Sequence, residues 1–152
     1  MIEDVNSHNY LKVIDFLTES KMITKIQKNL VLNGSVIINN DKIVGIASYE
    51  KSKSNKQHAI MRYFIFKKHV TKNEISELLE YTKEKLKKIN ITKLMGIVTS
   101  NDVLKILLDY GFYEVESKYV FIDEASPNKK IMTIAVDIWF DNPLTKNYNI
   151  AI

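Results

Sequence analysis

His58, Glu50 and Arg62 are the side chains of this chain best suited to chemistry, and each implies a different kind. An imidazole takes up and releases a proton near neutral pH, and His58 stands where a polar loop passes into an apolar run, a place for a general base. Glu50 closes the preceding apolar run and offers a carboxylate for the same work. Residues of both types at such junctions ordinarily just face water. Arg62 is the only arginine among 22 basic residues. Its planar fork grips a carboxylate or phosphate through two parallel hydrogen bonds, which marks it for binding an acidic substrate; the plain alternative is an arginine facing solvent between apolar neighbours. Other chemistries drop out. With no cysteine there is no disulfide, no thiolate metal ligand and no cysteine nucleophile. His8, His58 and His69 lie far apart in sequence and show no metal-ligand spacing, so no metal is expected.

These residues sit on or beside a stretch that reads as strand, helix, strand, helix. Residues 60–66 are β-branched and aromatic and stop at the polar run Lys67-Lys68-His69-Val70-Thr71-Lys72-Asn73. Thr71 then precedes Glu74 at capping-box spacing, ahead of an apolar stripe at Ile75, Leu78, Leu79, Thr82, Leu86 and Ile89. Glu74, Glu77 and Glu80 fall early in that helix and Lys83, Lys85, Lys87 and Lys88 late, which suits its macrodipole. Residues 93–98 make a short apolar strand and residues 100–110 a second helix closed by Gly111; such a crossover places its two strands parallel. Upstream, Ser7 caps a helix over residues 8–19 with a stripe at Tyr10, Leu11, Val13, Ile14 and Leu17. A short helix follows from the Thr24 and Gln27 box to Asn33-Gly34. Residues 35–50 form a hairpin about Asn39-Asn40-Asp41-Lys42, and residues 51–57 a polar loop. Downstream, residues 112–123 and 131–140 make a second hairpin about Pro127-Asn128.

Composition sets wider bounds. At 45% hydrophobic and 26% charged residues the chain is an ordinary globular one, expected to form a single domain over residues 1–140 with a tail at 141–152. No apolar run is long enough to span a bilayer, and the opening Met-Ile-Glu-Asp is acidic where a secretory signal would be basic, so the cytoplasm is expected. The net charge of +4 is carried almost wholly by lysine, which lacks the fork used to read base edges, and nucleic acid is not the favoured partner.

This order of elements resembles the GNAT family of N-acetyltransferases over residues 7–140. The most specific match is Ile97-Val98-Thr99-Ser100-Asn101-Asp102-Val103-Leu104-Lys105-Ile106-Leu107-Leu108-Asp109-Tyr110-Gly111-Phe112, similar to the family's fifth strand, asparagine-started helix and Gly-Phe opening of the sixth strand. The turn Asn40-Asp41-Lys42-Ile43-Val44-Gly45 is similar to the approach to its third strand. The resemblance implies an α+β fold in α/β/α layers: a mixed, mostly antiparallel sheet with a splayed parallel strand pair and flanking helices. It implies acetyl-CoA as cosubstrate, with its pantetheine along Ile65, Phe66 and Lys67 and its pyrophosphate at Val70, Thr71, Lys72, Asn73 and Ile75. Ser100 and Asn101 at the start of the last helix complete that set. The family's loop, Arg/Gln-x-x-Gly-x-Gly/Ala, here reads Val70-Thr71-Lys72-Asn73-Glu74-Ile75, a degenerate form with both glycines and the basic first position replaced. Lys67, Lys68 or Lys72 would then supply the charge. Where many members carry a tyrosine acid on the last helix this chain has Leu107, and a base on or near the fourth strand would come from Glu50, His58 or Tyr63. Two functions follow: an acetyltransferase acting on an amine of a small molecule or protein, or a non-catalytic GNAT-like domain that binds a protein, peptide or nucleic acid. A homodimer is compatible with either.

Overall fold

The computed structural model describes residues 1–20, 26–53, 55–98, 101–115 and 130–135, in two compact units. Met1–Glu50 with Met61–Lys83 form the first, and Lys51–Ile60 with Glu84–Ile152 the second. In chain order the elements are β1 (Ile2–Asp4), α1 (Tyr10–Glu19), α2 (Lys28–Leu32), β2 (Ser35–Asn39), β3 (Lys42–Lys51), β4 (His58–Phe66), α3 (Lys72–Lys88), β5 (Lys93–Val98), α4 (Asn101–Tyr110), β6 (Tyr113–Val115) and β7 (Lys130–Ala135). The sheet order is β1-β2-β3-β4-β5-β7-β6. β4 and β5, joined through α3, are its parallel pair in an otherwise mostly antiparallel sheet, as the strand and helix order implied.

In the first unit, the alternation of strand side chains builds two cores, one on each sheet face. Val36, Ile43, Ile46 and Tyr63 pack with Val13, Phe16 and Leu17 of α1 and with Leu30 and Val31 of α2. Ile37, Val44 and Ala47 face the other way, onto Leu78 of α3. The turn between β2 and β3 places Asn40 at φ 52° and Asp41 at φ 63°, the double left-handed pair that matches the strands' twist. Ile38 then pairs with Ile43 but Ile37 with Gly45, so Val44 is an extra, bulged residue. Val44 O accepts from the N–H of Lys67 at 2.9 Å, which ties the bulge to the end of β4. A Cβ on Gly45 would overlap Phe66 Cδ1 and lie 2.9 Å from its Cε1, so only glycine lets that ring cover the strand.

Several local expectations need correction. Ser7 is not the cap of α1, which begins at Tyr10 after Asn9; in the turn ahead of it Asn6 Oδ1 accepts from the N–H of His8 at 2.8 Å and of Asn9 at 3.0 Å, while Asn9 Oδ1 accepts from Asn6 N–H at 2.8 Å. Leu11 lies outside the buried stripe at 75% exposure. α2 begins only after Gln27; Thr24 lies outside the described residues. β1 escaped the sequence reading: three residues are too few to show alternation, and pairing with β2 defines the strand. On α3, Ile75, Leu78, Leu79, Thr82 and Leu86 are buried as the stripe requires, but Ile89 falls past the helix and is exposed. Lys83, expected only as one of the late lysines that suit the macrodipole, is fully buried.

In the second unit, Asn90 at φ 63° ends α3, and Ile91 N–H reaches back to Leu86 O at 3.0 Å, a left-handed helix stop. Thr92 N–H then donates to Gln57 O at 2.7 Å, setting the start of β5 beside the approach to β4. β7 pairs antiparallel with β5 from Lys93↔Ala135 to Val98↔Lys130 and with β6 from Tyr113↔Thr133 to Val115↔Ile131. α4 stops at Gly111, φ 128°, where Phe112 N–H donates to Leu107 O at 2.9 Å and the Phe112 ring is fully buried. The expected extensions of these strands beyond residues 115 and 135, with the Pro127-Asn128 turn, lie outside the described residues.

Truncating Leu78 to alanine opens a cavity against the sheet and is expected to cost about 2–5 kcal/mol in urea unfolding. Gly45→Ala is expected to cost about 1–3 kcal/mol by overpacking, although alanine favours strands over glycine. A neutral Gly45→Ala would show that Phe66 does not cover that strand.

Candidate active site

The end of β4, the turn after it and the first turn of α3 form one hydrogen-bonded assembly. Lys67 N–H is held by Val44 O, and Lys67 O accepts from Val70 N–H at 3.1 Å, closing the turn. Ile65 packs with the α1 and α2 core, while Phe66 and Val70 pack with the α3 core. Phe64 and Phe66 meet edge to face with ring centroids 4.6 Å apart. At the helix start the capping box forms in both directions. Thr71 N–H donates to Glu74 Oε1 at 3.0 Å, Thr71 Oγ1 donates to the same oxygen at 3.1 Å, and Glu74 N–H donates to Thr71 Oγ1 at 3.2 Å. The other carboxylate oxygen of Glu74 accepts from the side-chain amide of Asn39 at 2.9 Å. Asn39 ends β2, and no pattern in the sequence marked it as a partner. Its amide first, then the Thr71 backbone and hydroxyl, hold the Glu74 carboxyl below the usual carboxylate range.

The candidate proton-transfer residues have defined partners. Glu50 and Arg62 are paired with each other: Arg62 Nε lies 3.1 Å from Glu50 Oε2 and Nη2 lies 3.2 Å from Oε1, a two-pronged pair at the surface. Two residues singled out separately thus neutralise one another. Tyr63 is buried, and its phenol oxygen accepts from Gln27 N–H at 3.0 Å, satisfying a donor at the start of α2. Its own N–H donates to Ser48 Oγ at 3.0 Å. His58 sits at the opposite end of β4 from Phe66, where Asn55 Nδ2 lies 3.3 Å from its Nε2. Burial first, and the Lys93 ammonium second, lower its pKa below the usual 6.5. Of the expected cofactor set, Lys72, Asn73 and Ile75 lie in the first turns of α3, Asn101 starts α4, and Ser100 lies outside the described residues. Leu107, the residue that the resemblance sets where many members carry a tyrosine, is buried.

A cleft of about 320 Å³ opens between α1, the β2–β3 turn and the end of β4. Lys12, Lys42 and Lys67 line it together with Asp15, Glu19 and Asp41, three charges of each sign, and Phe16 forms part of its apolar lining. Its lining therefore carries no net formal charge. Among the described residues no three of His, Asp and Glu gather as metal ligands, and no helix is long and apolar enough to cross a membrane.

The fold is that of the GNAT acetyltransferases. An acetyltransferase of the GNAT family from Staphylococcus aureus superposes with a TM-score of 0.72 at 13% identity, over 90% of this chain and 98% of that one. The ribosomal-protein-S18-alanine N-acetyltransferase of Escherichia coli gives 0.67 at 14%, over 90% and 93%. Arabidopsis thaliana Naa50, in complex with the bisubstrate analogue CoA-Ac-MVNAL, gives 0.65 at 16%, over 89% and 97%. No family model and no curated protein sequence matches the chain.

Two substitutions separate scaffold from chemistry. Tyr63→Phe orphans the Gln27 N–H and is expected to cost about 1–3 kcal/mol of stability; a lost rate with unchanged melting would instead make the phenol a reacting group. His58 takes up its proton less readily folded than unfolded, so the unfolded state binds more protons and stability rises with pH. Its contribution is complete above the unfolded value near 6.5 and is lost as pH falls through that value toward the folded one. A proton NMR titration should place the His58 midpoint below that of a free histidine, and Lys93→Ala should raise it.

Proposed function

We propose that this protein is a GNAT-type N-acetyltransferase, which moves an acetyl group from acetyl-CoA to an amine on a small molecule or protein. The observation that carries the reading is the fold likeness: about nine tenths of this chain superposes on acetyltransferases that are themselves almost wholly covered, one of them holding a CoA bisubstrate analogue. CoA supplies an acyl thioester, whose carbonyl is attacked by the neutral amine. The N–C bond forms as the C–S bond breaks, the amine proton is released, and the departing thiolate takes one up.

On this chain the arm of the donor would lie along the end of β4. Lys67 turns its N–H to Val44 of β3. Alternation along the strand therefore turns the amide of Phe66 away from β3, which makes Phe66, rather than Ile65 or Lys67, the backbone group that offers a hydrogen bond to an extended ligand. Holding the two reactants together supplies a large share of the rate, which suits a site where Glu50 is paired, Tyr63 is committed to Gln27, and His58 lies at the far end of the strand. Arg62, held by Glu50, would meet an acidic substrate only by exchanging partners. Work in the cytoplasm, within one domain over residues 1–140, is part of this reading.

Those same commitments favour the second reading, a non-catalytic GNAT-like domain. The two are separated by calorimetry with acetyl-CoA at about 1 mM, a concentration at which half-saturation corresponds to about 4 kcal/mol of binding. We expect measurable heat and a raised melting temperature. Silence in both replaces the enzyme with the binding domain.

A further inference from the structure

Resting on the acetyltransferase reading, we infer that the donor is recognised by its acyl-pantetheine arm alone, because the first turn of α3 is closed to the nucleotide diphosphate by the chain's own Glu74. A pyrophosphate at a helix start is held by backbone N–H groups that have no intrahelical partner. Of the amides at this start that the helix itself leaves without a partner, those of Thr71 and Glu74 already have acceptors inside the chain, Thr71 N–H on Glu74 Oε1 and Glu74 N–H on Thr71 Oγ1. Val70 N–H, just ahead of the helix, is held by Lys67 O.

The group that occupies this turn is itself an anion. The Glu74 carboxylate takes the place a phosphate oxygen would take, and it is held from two sides, by Thr71 and by Asn39 of β2. Its depressed pKa keeps the negative charge in place at neutral pH. An incoming diphosphate would therefore have to break the Asn39 and Thr71 hydrogen bonds and then sit beside the displaced carboxylate, losing by repulsion what it gained from the amides. Asn73 and Ile75 also stand on either side of Glu74 where the family's loop has glycine or alanine. None of these contacts reaches the backbone of Phe66. The arm of the donor keeps its hydrogen-bonding strand while the nucleotide loses its cradle, and the ligand class is an acyl thioester on pantetheine, with or without the nucleotide attached.

The test compares acetyl-CoA with S-acetylpantetheine on the full chain, by calorimetry and by acetyl transfer to an amine panel. The two are expected to bind within about threefold of each other. A preference for acetyl-CoA of about tenfold or more, near 1.4 kcal/mol, overturns the inference and leaves the acetyltransferase reading intact. Binding of neither donor discards both. Glu74→Gln keeps an acceptor for Thr71 and removes the charge, and Glu74→Ala removes both. Each should tighten acetyl-CoA by about tenfold and leave S-acetylpantetheine unchanged, since only the nucleotide end meets the amides. No gain for acetyl-CoA in a folded Glu74→Gln variant shows that the carboxylate does not exclude the diphosphate, and that result also overturns the inference.

Discussion

The contact between Gly45 and Phe66 is the constraint on which the candidate site depends. The bulge at Val44 lets β3 put two consecutive residues where a regular strand has one, and its freed carbonyl catches the N–H of Lys67. The Phe66 ring then lies over the bare glycine and against Phe64. Once β4 is stopped at that point, the chain has only the Lys67 to Val70 turn in which to reverse, and α3 must start at once. The place where β4 ends, and with it the start of α3 a short turn later, is fixed by a close approach that a methyl group on Gly45 would crowd.

The beginning of α3 shows how a structural demand and a binding demand compete for the same atoms. Every helix start has N–H groups to satisfy, and a glycine-rich loop leaves them open for a ligand. This chain satisfies two of them, those of Thr71 and Glu74, with the side chains of the same two residues, and adds a contact from the neighbouring hairpin. The arrangement makes a firmer start to a 17-residue helix whose inner side, at Leu78, Leu79 and Leu86, is fully buried.

The same economy shows along β4. Arg62 and Glu50 cancel each other at the surface, and Tyr63 spends its hydroxyl on the first turn of α2. An exposed ion pair of this kind contributes at most about 1 kcal/mol. Its larger effect is on recognition, since neither charge is presented alone. The cleft beside α1 is balanced in the same way, with lysines and carboxylates in equal number.

Signals that act within a few residues were legible in the sequence. The Thr71 and Glu74 box, the Asn40-Asp41 turn, the stripe of α3 and the Gly111-Phe112 stop each depend on local dihedrals or on neighbours one helical turn away, so residue type and spacing carry them. From these alone came the order of elements, the parallel pair and the GNAT resemblance. What tertiary structure decided were the partnerships across long sequence separations: Glu50 with Arg62 at 12 residues, Asn39 with Glu74 at 35 and Gln27 with Tyr63 at 36. The burial of Lys83 and the strand at Ile2–Asp4 belong with them. Each depends on strand register and on which face of a helix meets the sheet, and a one-residue change of register would reverse every one of those assignments without altering a local signal.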